Sequence, residues 1–404
     1  MYDEGTITMR TSAFAFAIFC LYVLVPSFEQ FQKYTGNAGI VAYFVLGIGL
    51  LYVLRNYVLD SVINALTPKT FWIFSIAAFL LVCVLFIFIY PYANTGFVFH
   101  GRTIGGRGDR DDAINIAVRA MLRGSYPYYE KTPNGNPITP MPGALLFGTP
   151  FVILLGNSAY QNLFWLPIFF LVLAKFVFKS VPQTFLLLTT IFLCSPIVLQ
   201  EIVTGGDYLS NTIYILVLSI LFIHYLAEQK SLRIIKIGIS IVLGIAFSSR
   251  AIFLLIVPVL YTYLVNRVGV RETVKYLTYV LLVFAAVTFP FYFADPAGFT
   301  PLTAYSYIGK FGETIPYIGP IVTILSGCIA LGVALWKIPR DEMDFLRRCA
   351  LTLIFPIVGT IVVVMISNGN LSLKYYGAYP LAFMLFGAVG YWGDFARSQI
   401  NPKI

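Results

Sequence analysis

Charge is what this chain of 404 residues has least of. Only 11% of the residues are Asp, Glu, Lys or Arg, whereas 59% are hydrophobic and 17% are aromatic. The mean hydropathy is correspondingly high, at +0.83. A soluble domain carries far more charge on its surface, so this composition excludes soluble enzymes and soluble binding modules. It predicts an all-α polytopic membrane protein.

Cysteine and histidine are also scarce. The five cysteines all lie within or at the edge of apolar segments, without the spacing of metal ligands or of disulfide-bonded loops. They are Cys20, Cys83, Cys194, Cys328 and Cys349. The two histidines, His100 and His224, are isolated in the sequence, and neither predicts a metal site.

Basic residues outnumber acidic residues, 27 to 18, which gives a net charge of +9. In a membrane protein such an excess usually lies in the cytoplasmic loops and sets the topology. We therefore interpret it as a topology signal and expect no nucleic-acid partner. The N-terminus, MYDEGTITMR, leads directly into an apolar segment without a small-residue cleavage site, which predicts an uncleaved first span.

Apolar runs separated by short polar turns predict about twelve transmembrane helices. The predicted spans are 12–26, 38–54, 70–90, 157–178, 183–199, 208–227, 234–249, 251–266, 274–293, 317–337, 349–367 and 374–393. Placing the cationic turns inside leaves four external loops, which are 91–142, 200–210, 293–316 and 367–374.

Successive loops must lie on alternate sides of the membrane, and two segments satisfy this only if they do not form single, simple crossings. Residues 141–156 follow Pro140 and begin MPGALLFGTP, and these helix breakers predict a re-entrant or surface-lying helix rather than a crossing. The long apolar run after Lys236 is interrupted by Ser248-Ser249-Arg250. Because an arginine in hydrocarbon is costly, we expect two short helices that meet at the external face, with Arg250 at the apex.

The stretch from His100 to Pro142 interrupts the apolar pattern. It contains three aspartates (Asp109, Asp111 and Asp112), five arginines (Arg102, Arg107, Arg110, Arg119 and Arg123) and four tightly spaced glycines. From Asp112 the spacing predicts an amphipathic helix, with Asn115, Arg119 and Arg123 on its polar face and Gly124 at its end. The aspartates either cap this helix or include a catalytic carboxylate, and three of them exceed what capping requires.

The segment DDAINIAVRAMLRGSYPYY resembles the start of the first external loop of GT-C glycosyltransferases, in which an acidic pair precedes an amphipathic helix. Protein O-mannosyltransferases and lipid A aminoarabinose transferases belong to this superfamily. Three further segments are similar to family features in the same order and on the same side of the membrane. They are GGDYLSN (205–211), AFSSRAIFLLIVPVL around Arg250, and LKYYGAYPLAF with Lys374, Tyr375 and Pro380. The chain departs from the family in having three helices before the loop and Asp112 where the pair often has Glu.

The resemblance implies an enzyme that transfers a sugar from a polyprenyl-phosphate donor to a lipid, glycan or protein acceptor at the non-cytoplasmic face. Asp111, with Asp112 and Asp109 as neighbours, is the expected general base, and a single displacement would invert the anomeric centre. Cations would stabilise the departing phosphate. The expected substrate-binding residues are Arg250, Lys374, Asp207, Tyr375, Arg102, Arg107 and Arg110. Arg250 could instead anchor the interface, Asp207 could cap a helix, and Arg102, Arg107 and Arg110 could solvate a flexible loop.

The resemblance also implies a single integral-membrane domain over residues 1–404, in a bacterial inner membrane with the active site facing the periplasm. Residues 1–69 would add an N-terminal helical hairpin, and 91–156 would form the catalytic loop with its juxtamembrane helices. No cofactor is required by the pattern, although a divalent metal, Mg²⁺ or Mn²⁺, stays open. The alternatives are a lipid-linked oligosaccharide flippase or transporter, which would bury charge at mid-membrane, and an O-antigen ligase or polymerase, with its largest polar loop late in the chain.

Overall fold

The fold was obtained as a computed structural model. It describes residues 16–21, 23–54, 68–95, 97–99, 102–104, 109–177, 189–228, 230–302, 315–336, 338–368 and 383. Within these ranges the regular secondary structure is helical, apart from one antiparallel hairpin of two three-residue strands. The predicted all-α class is therefore confirmed, and the hairpin is a small departure from it.

The helices and strands of the described residues are numbered here along the chain. In chain order they are α1 (Phe28–Val53), α2 (Pro68–Thr95), β1 (Phe97–Phe99), β2 (Arg102–Ile104), α3 (Arg110–Leu122), α4 (Pro142–Leu155), α5 (Gln161–Val172), α6 (Pro196–Val203), α7 (Asp207–Ala227), α8 (Arg233–Phe247), α9 (Val257–Val268), α10 (Val270–Ala294), α11 (Ile318–Trp336) and α12 (Glu342–Asn368). Short 3₁₀ segments precede α1 (Val25–Ser27), α5 (Ser158–Tyr160) and α9 (Ala251–Ile256). Two others lie at Pro127–Tyr129 and Thr300–Leu302, and a π turn at Leu173–Val177 continues α5.

Eight helical segments of the described residues are long and apolar enough to cross a membrane. They are Thr35–Val53, Trp72–Tyr92, Ser158–Val177, Asp207–Ala227, Ala251–Val268, Val270–Ala294, Ile318–Trp336 and Glu342–Val363. The chain is thus an all-α polytopic membrane protein. The count of about twelve stays a prediction, because the predicted span 183–199 lies partly, and 374–393 almost wholly, outside the described residues.

Helix α7 is the centre of the bundle. Burial within the protein covers 83% of its span, against 11% to 41% in the other seven candidate spans. It packs between α5 and α8, and α8 in turn packs along α10. A helix buried on all sides has no lipid-facing stripe, so the polar residues at its first turn lie inside the protein rather than at its edge.

The predicted break in the apolar run after Lys236 is confirmed. Helix α8 ends at Phe247 and the 3₁₀ segment before α9 begins after Arg250. The start of α4 docks onto this break, since the N–H of Gly143 donates to the carbonyl of Ser248 at 2.9 Å. A Cβ atom on Gly143 would lie 2.0 Å from the carbonyl oxygen of Ile245, so only glycine permits this close approach.

Helix α3 begins after Asp109 and ends before Gly124, whose φ of +75° suits glycine. Its apolar face packs against α4 in a second, smaller core that also includes Tyr128 and Phe299. The predicted polar face is wrong at Asn115, which is buried. The turn after α4 covers that face of the helix, so Asn115 accepts a hydrogen bond from the N–H of Ser158 at 2.7 Å.

Candidate active site

The turn between α6 and α7 (residues 204–206) and the first two residues of α7, Asp207 and Tyr208, organise the polar cluster at this end of the bundle. A Cβ on Gly205 would lie 3.3 Å from the Cβ of Asp111, and one on Gly206 would lie 2.2 Å from Oε2 of Glu201. Gly205 also has a φ of +68°, a conformation that favours glycine. The two glycines therefore let the backbone of the turn approach both carboxylates closely.

Asp207 forms a buried ion pair with Arg250. Oδ2 of Asp207 accepts from Nη2 of Arg250 and, at 3.0 Å, from Nδ2 of Asn211. The other terminal nitrogen of Arg250, Nη1, donates to the carbonyl of Thr139 at 3.1 Å. The pair thus joins α7, the break after α8 and the segment before α4. Asp207 lies in the first turn of α7 and Gly206 is the capping residue, so Asp207 is not the helix cap that the alternative interpretation expected.

Arg250 lies at the predicted break, but neither Arg250 nor its neighbour Ser249 is exposed there. Ser249 is fully buried, and Arg250 is 8% exposed. The guanidinium has a buried partner in Asp207, and an ion pair of this kind lets an arginine remain inside the protein instead of extending to the interface. Arg250 is therefore not an interface anchor.

Arg110 belongs to a second ion pair, in which Glu201 is buried and Arg110 is partly exposed. It is the first residue of α3, and its Nη1 donates to Oε1 of Glu201. Its guanidinium also lies over the ring of Tyr208, with Cζ 3.8 Å from the ring centroid, while Cζ of Arg250 lies 5.1 Å from the same centroid. The placement of Arg110 in a flexible, glycine-rich stretch is wrong, because the buried Glu201 needs a cation and holds Arg110 in the helix.

Glu201 lies at the end of α6 and is 2% exposed. Burial raises the pKa of its carboxyl group, although the neighbouring Arg110 opposes that change. The side chain of Asn162 braces the same turn, since its Nδ2 donates to the carbonyl of Gly206 at 2.9 Å and of Glu201 at 3.2 Å. Asn162 of α5 and the backbone carbonyl of Glu201, which accepts from the N–H of Gly206 at 2.8 Å, therefore hold the turn.

Asp111 is fully buried in the first turn of α3. Its Oδ2 accepts a hydrogen bond from the hydroxyl of Tyr90, whereas Oδ1 has no hydrogen-bond partner among the described residues. Burial raises the pKa of the carboxyl group to about 6, and the negative charge of Asp112 adds to the rise. A carboxyl group with such a pKa is still ionised at neutral pH and is a stronger base than an exposed aspartate.

The other two aspartates of the predicted cluster are less enclosed. Oδ2 of Asp109 accepts from Thr132 Oγ1 and from Asn136 Nδ2, each at 2.7 Å, so Asp109 fastens the loop that follows α3. Asp112 is half-buried, and burial raises its pKa with a further contribution from Asp109. The three aspartates thus have different surroundings, and Asp111 alone among them is fully buried.

Four of the predicted substrate-binding residues lie away from this cluster or outside the described residues. Arg107, Lys374 and Tyr375 lie outside the described residues. Arg102 is the first residue of β2, where its backbone pairs with Phe99. As for a metal, the described part of the chain holds no group of three or more His, Cys, Asp or Glu side chains that could bind one.

The sequence interpretation missed Glu201, Tyr90 and Asn157. The sequence position of Glu201 could have indicated its role, because a carboxylate at the end of an apolar run needs a buried partner or access to water. The positions of Tyr90 and Asn157 gave no such indication, because their hydrogen bonds to and near Asp111 join residues 21 to 67 positions apart.

Comparison of the chain with protein-family models, with curated proteins and with solved structures found no match.

Proposed function

We propose that this protein is a membrane glycosyltransferase of the GT-C type. It moves a sugar from a polyprenyl-phosphate donor to an acceptor hydroxyl on the non-cytoplasmic face. The surroundings of Asp111 support this proposal most strongly. Its carboxyl group is buried, Oδ2 accepts a hydrogen bond from Tyr90, and Oδ1 has no hydrogen-bond partner among the described residues. That arrangement suits a group that takes a proton from a bound hydroxyl.

In the proposed reaction the acceptor oxygen attacks the anomeric carbon while its proton passes to Oδ1 of Asp111. The bond between the anomeric carbon and the phosphate oxygen breaks, and its electron pair stays on the lipid phosphate. Arg250 supplies positive charge for that phosphate from a fixed position, since Asp207 and Thr139 already orient its guanidinium. A single displacement of this kind inverts the anomeric centre.

The position of the charges favours an enzyme over a transporter. Asp207 is the first residue of α7, Arg250 precedes the 3₁₀ segment before α9, and Glu201 lies at the end of α6. All three lie at helix ends, where Asp207 pairs with Arg250 and Glu201 packs against Gly206, the residue before Asp207. A transporter that carries its substrate across the bilayer is expected to place such groups near mid-membrane, within interrupted helices.

Mass spectrometry of lipids that copurify with the protein tests the proposal. We expect a polyprenyl-phosphate hexose or pentose, and we expect purified protein supplied with that lipid to transfer the sugar to a hydroxyl acceptor. Copurification of a diphosphate-linked oligosaccharide, with no transfer from the monophosphate donor, would refute the proposal in favour of a flippase or a ligase.

A further inference from the structure

A row of hydrogen-bonded side chains runs from Asp111 to the turn after α4. The hydroxyl of Tyr90 donates to Oδ2 of Asp111 and accepts from Nδ2 of Asn157. Oδ1 of Asn157 accepts from Nδ2 of Asn115 at 3.0 Å and from the backbone N–H of Ala159 at 2.9 Å. Tyr90 belongs to α2, so this row joins α2, α3 and the turn after α4.

The direction of every bond in this row is fixed by two backbone N–H groups, which can only donate. The N–H of Ala159 requires the carbonyl oxygen of Asn157 to face it, so the amide nitrogen of Asn157 must face Tyr90. The N–H of Ser158 fixes Asn115 in the same way, at 2.7 Å from its Oδ1. The backbone therefore fixes the orientation of both side-chain amides.

The directions of these hydrogen bonds determine the protonation state of Asp111. The oxygen of Tyr90 already accepts a hydrogen from Asn157, so its own proton points to Oδ2 of Asp111. A proton on Oδ2 would meet the proton of Tyr90, whereas Oδ1 has no partner among the described residues. We propose that Tyr90, oriented by Asn157, is a positioning residue that keeps Asp111 ionised and leaves Oδ1 as the proton acceptor. The role of that acceptor rests on the proposed function.

Other charged groups around Asp111 either oppose ionisation or are already paired. Asp112 on the same helix adds negative charge, and burial acts in the same direction, so both raise the pKa of Asp111. The hydrogen bond from Tyr90 lowers it. The adjoining turn brings in the two ion pairs Arg110–Glu201 and Asp207–Arg250, in which each carboxylate has its own arginine. Tyr90 is thus the side chain that favours the carboxylate form from outside α3.

The ionisation of Asp111 can be measured without any transfer assay. An apolar carbodiimide reacts with protonated carboxyl groups, so the fraction of Asp111 converted to the acylurea follows its protonated fraction. We would label the full-length protein in detergent between pH 5 and pH 9 and quantify the peptide that contains Asp111 by mass spectrometry. For the wild-type protein we expect half-maximal labelling at about pH 6.

In Tyr90→Phe, loss of a hydrogen bond to the charged group should move the midpoint upward by roughly one pH unit. Asn157→Asp should also move it upward, because an aspartate cannot donate to Tyr90 and instead competes for its proton. Tyr160→Phe is the matched control, because the rings of Tyr90 and Tyr160 both contact Phe86. The hydroxyl of Tyr160 makes no hydrogen bond within the described residues. We expect no shift in that variant.

A midpoint for Tyr90→Phe within two tenths of a pH unit of the wild-type value would overturn the proposal, as would an equal shift in Tyr160→Phe. The acid limb of sugar transfer, measured separately, should move with the labelling midpoint. If labelling shifts as expected while the wild-type protein transfers no sugar from any polyprenyl-phosphate donor, the proposed function fails and the effect of Tyr90 on Asp111 stands.

Discussion

The carboxylate of Asp207 and the guanidinium of Arg250 form an ion pair inside the protein, with side chains only 1% and 9% exposed. The pair links the first turn of the central helix α7 to the break between α8 and α9. Asn211 and Thr139 bind the same two groups, so each charge has further polar partners. Removing either member would leave the other as a buried charge without its counterion, which is costly.

The first prediction concerns that cost. Arg250→Met should lower the free energy of unfolding by about 3–5 kcal/mol, because the charge of Asp207 would then stay buried without a cation. Combining Arg250→Met with Asp207→Asn should recover a large part of the loss, since an amide needs no counterion. Thermal unfolding in detergent would measure both effects. Strictly additive losses in the double variant would show that the two side chains do not depend on each other.

The exposed ion pair Arg123–Glu130 provides a control on the same end of the protein. Its atoms are 3.3 Å apart and its side chains are 63% and 39% exposed. Arg123→Met should therefore change stability by less than about 1 kcal/mol. The contrast also matters for function, since lost activity in Arg250→Met would reflect instability as well as any loss of phosphate binding. Arg250→Lys keeps the charge and is the better probe of phosphate binding.

The second prediction concerns the close approach at Gly206. In Gly206→Ala the new methyl carbon would lie 2.2 Å from Oε2 of Glu201, which sits in a tightly packed site. Displacing that carboxylate should cost roughly 1–3 kcal/mol of stability and should disturb its pairing with Arg110. Gly238→Ala in α8 is the matched control, because nothing lies within 4 Å of the added atom. Unchanged stability in Gly206→Ala would mean that Glu201 is not held against the turn.

The sequence predicts the features of the fold and of the candidate site that depend on residues close together in the chain. The spacing from Asp112 indicated a helix that Gly124 ends, and Ser248-Ser249-Arg250 marked a break in an apolar run. Both features follow from the conformational preferences of neighbouring residues, so they can be predicted from the sequence alone.

Contacts between distant helices were not predictable. Arg110 looked like a loop residue beside glycines, and only the fold shows that Glu201, 91 positions away, binds it. Asn115 had the spacing of an exposed position, but the turn after α4 covers it. In each case a buried polar partner from another helix overrides the local pattern, because an unpaired polar group in the interior is costly.

The third prediction tests sidedness. In a variant without the native cysteines, Lys131→Cys should react with a membrane-impermeant maleimide in intact cells, because residue 131 is exposed beside the proposed site. Lys230→Cys, exposed at the other end of α7, should react only after permeabilisation. Ser249→Cys should react in neither case, since Ser249 is buried. The opposite pattern at residues 131 and 230 would place the proposed site in the cytoplasm.

The fourth prediction is a pH dependence. A general base must be ionised, so sugar transfer at low substrate concentration should rise with pH through the pKa of Asp111, at about 6, and level off above it. Asp111→Glu shifts the carboxylate and should lower the plateau. An acid limb near pH 4 in the wild-type protein would contradict the raised pKa of Asp111 and its role as the general base.

The last prediction separates catalysis from stability at Asp111. Asp111→Asn keeps the acceptor for the Tyr90 hydroxyl but cannot take a proton, so transfer should fall by about 100- to 10,000-fold. Stability should move the other way. The folded protein holds the pKa of Asp111 at about 6, above its value in an unfolded chain, so the ionised group destabilises the fold at neutral pH.

Removing that charge should therefore stabilise the protein at pH 7 by roughly 1–3 kcal/mol. The gain should shrink as the pH falls from about 6 towards 4, because the wild-type aspartate then becomes protonated in the folded state. Asp112→Asn is the control, since Asp112 is only half-buried and should give a smaller gain. A variant Asp111→Asn that keeps near wild-type transfer would refute the general-base role, and one that loses both transfer and stability would show that Asp111 is needed for folding.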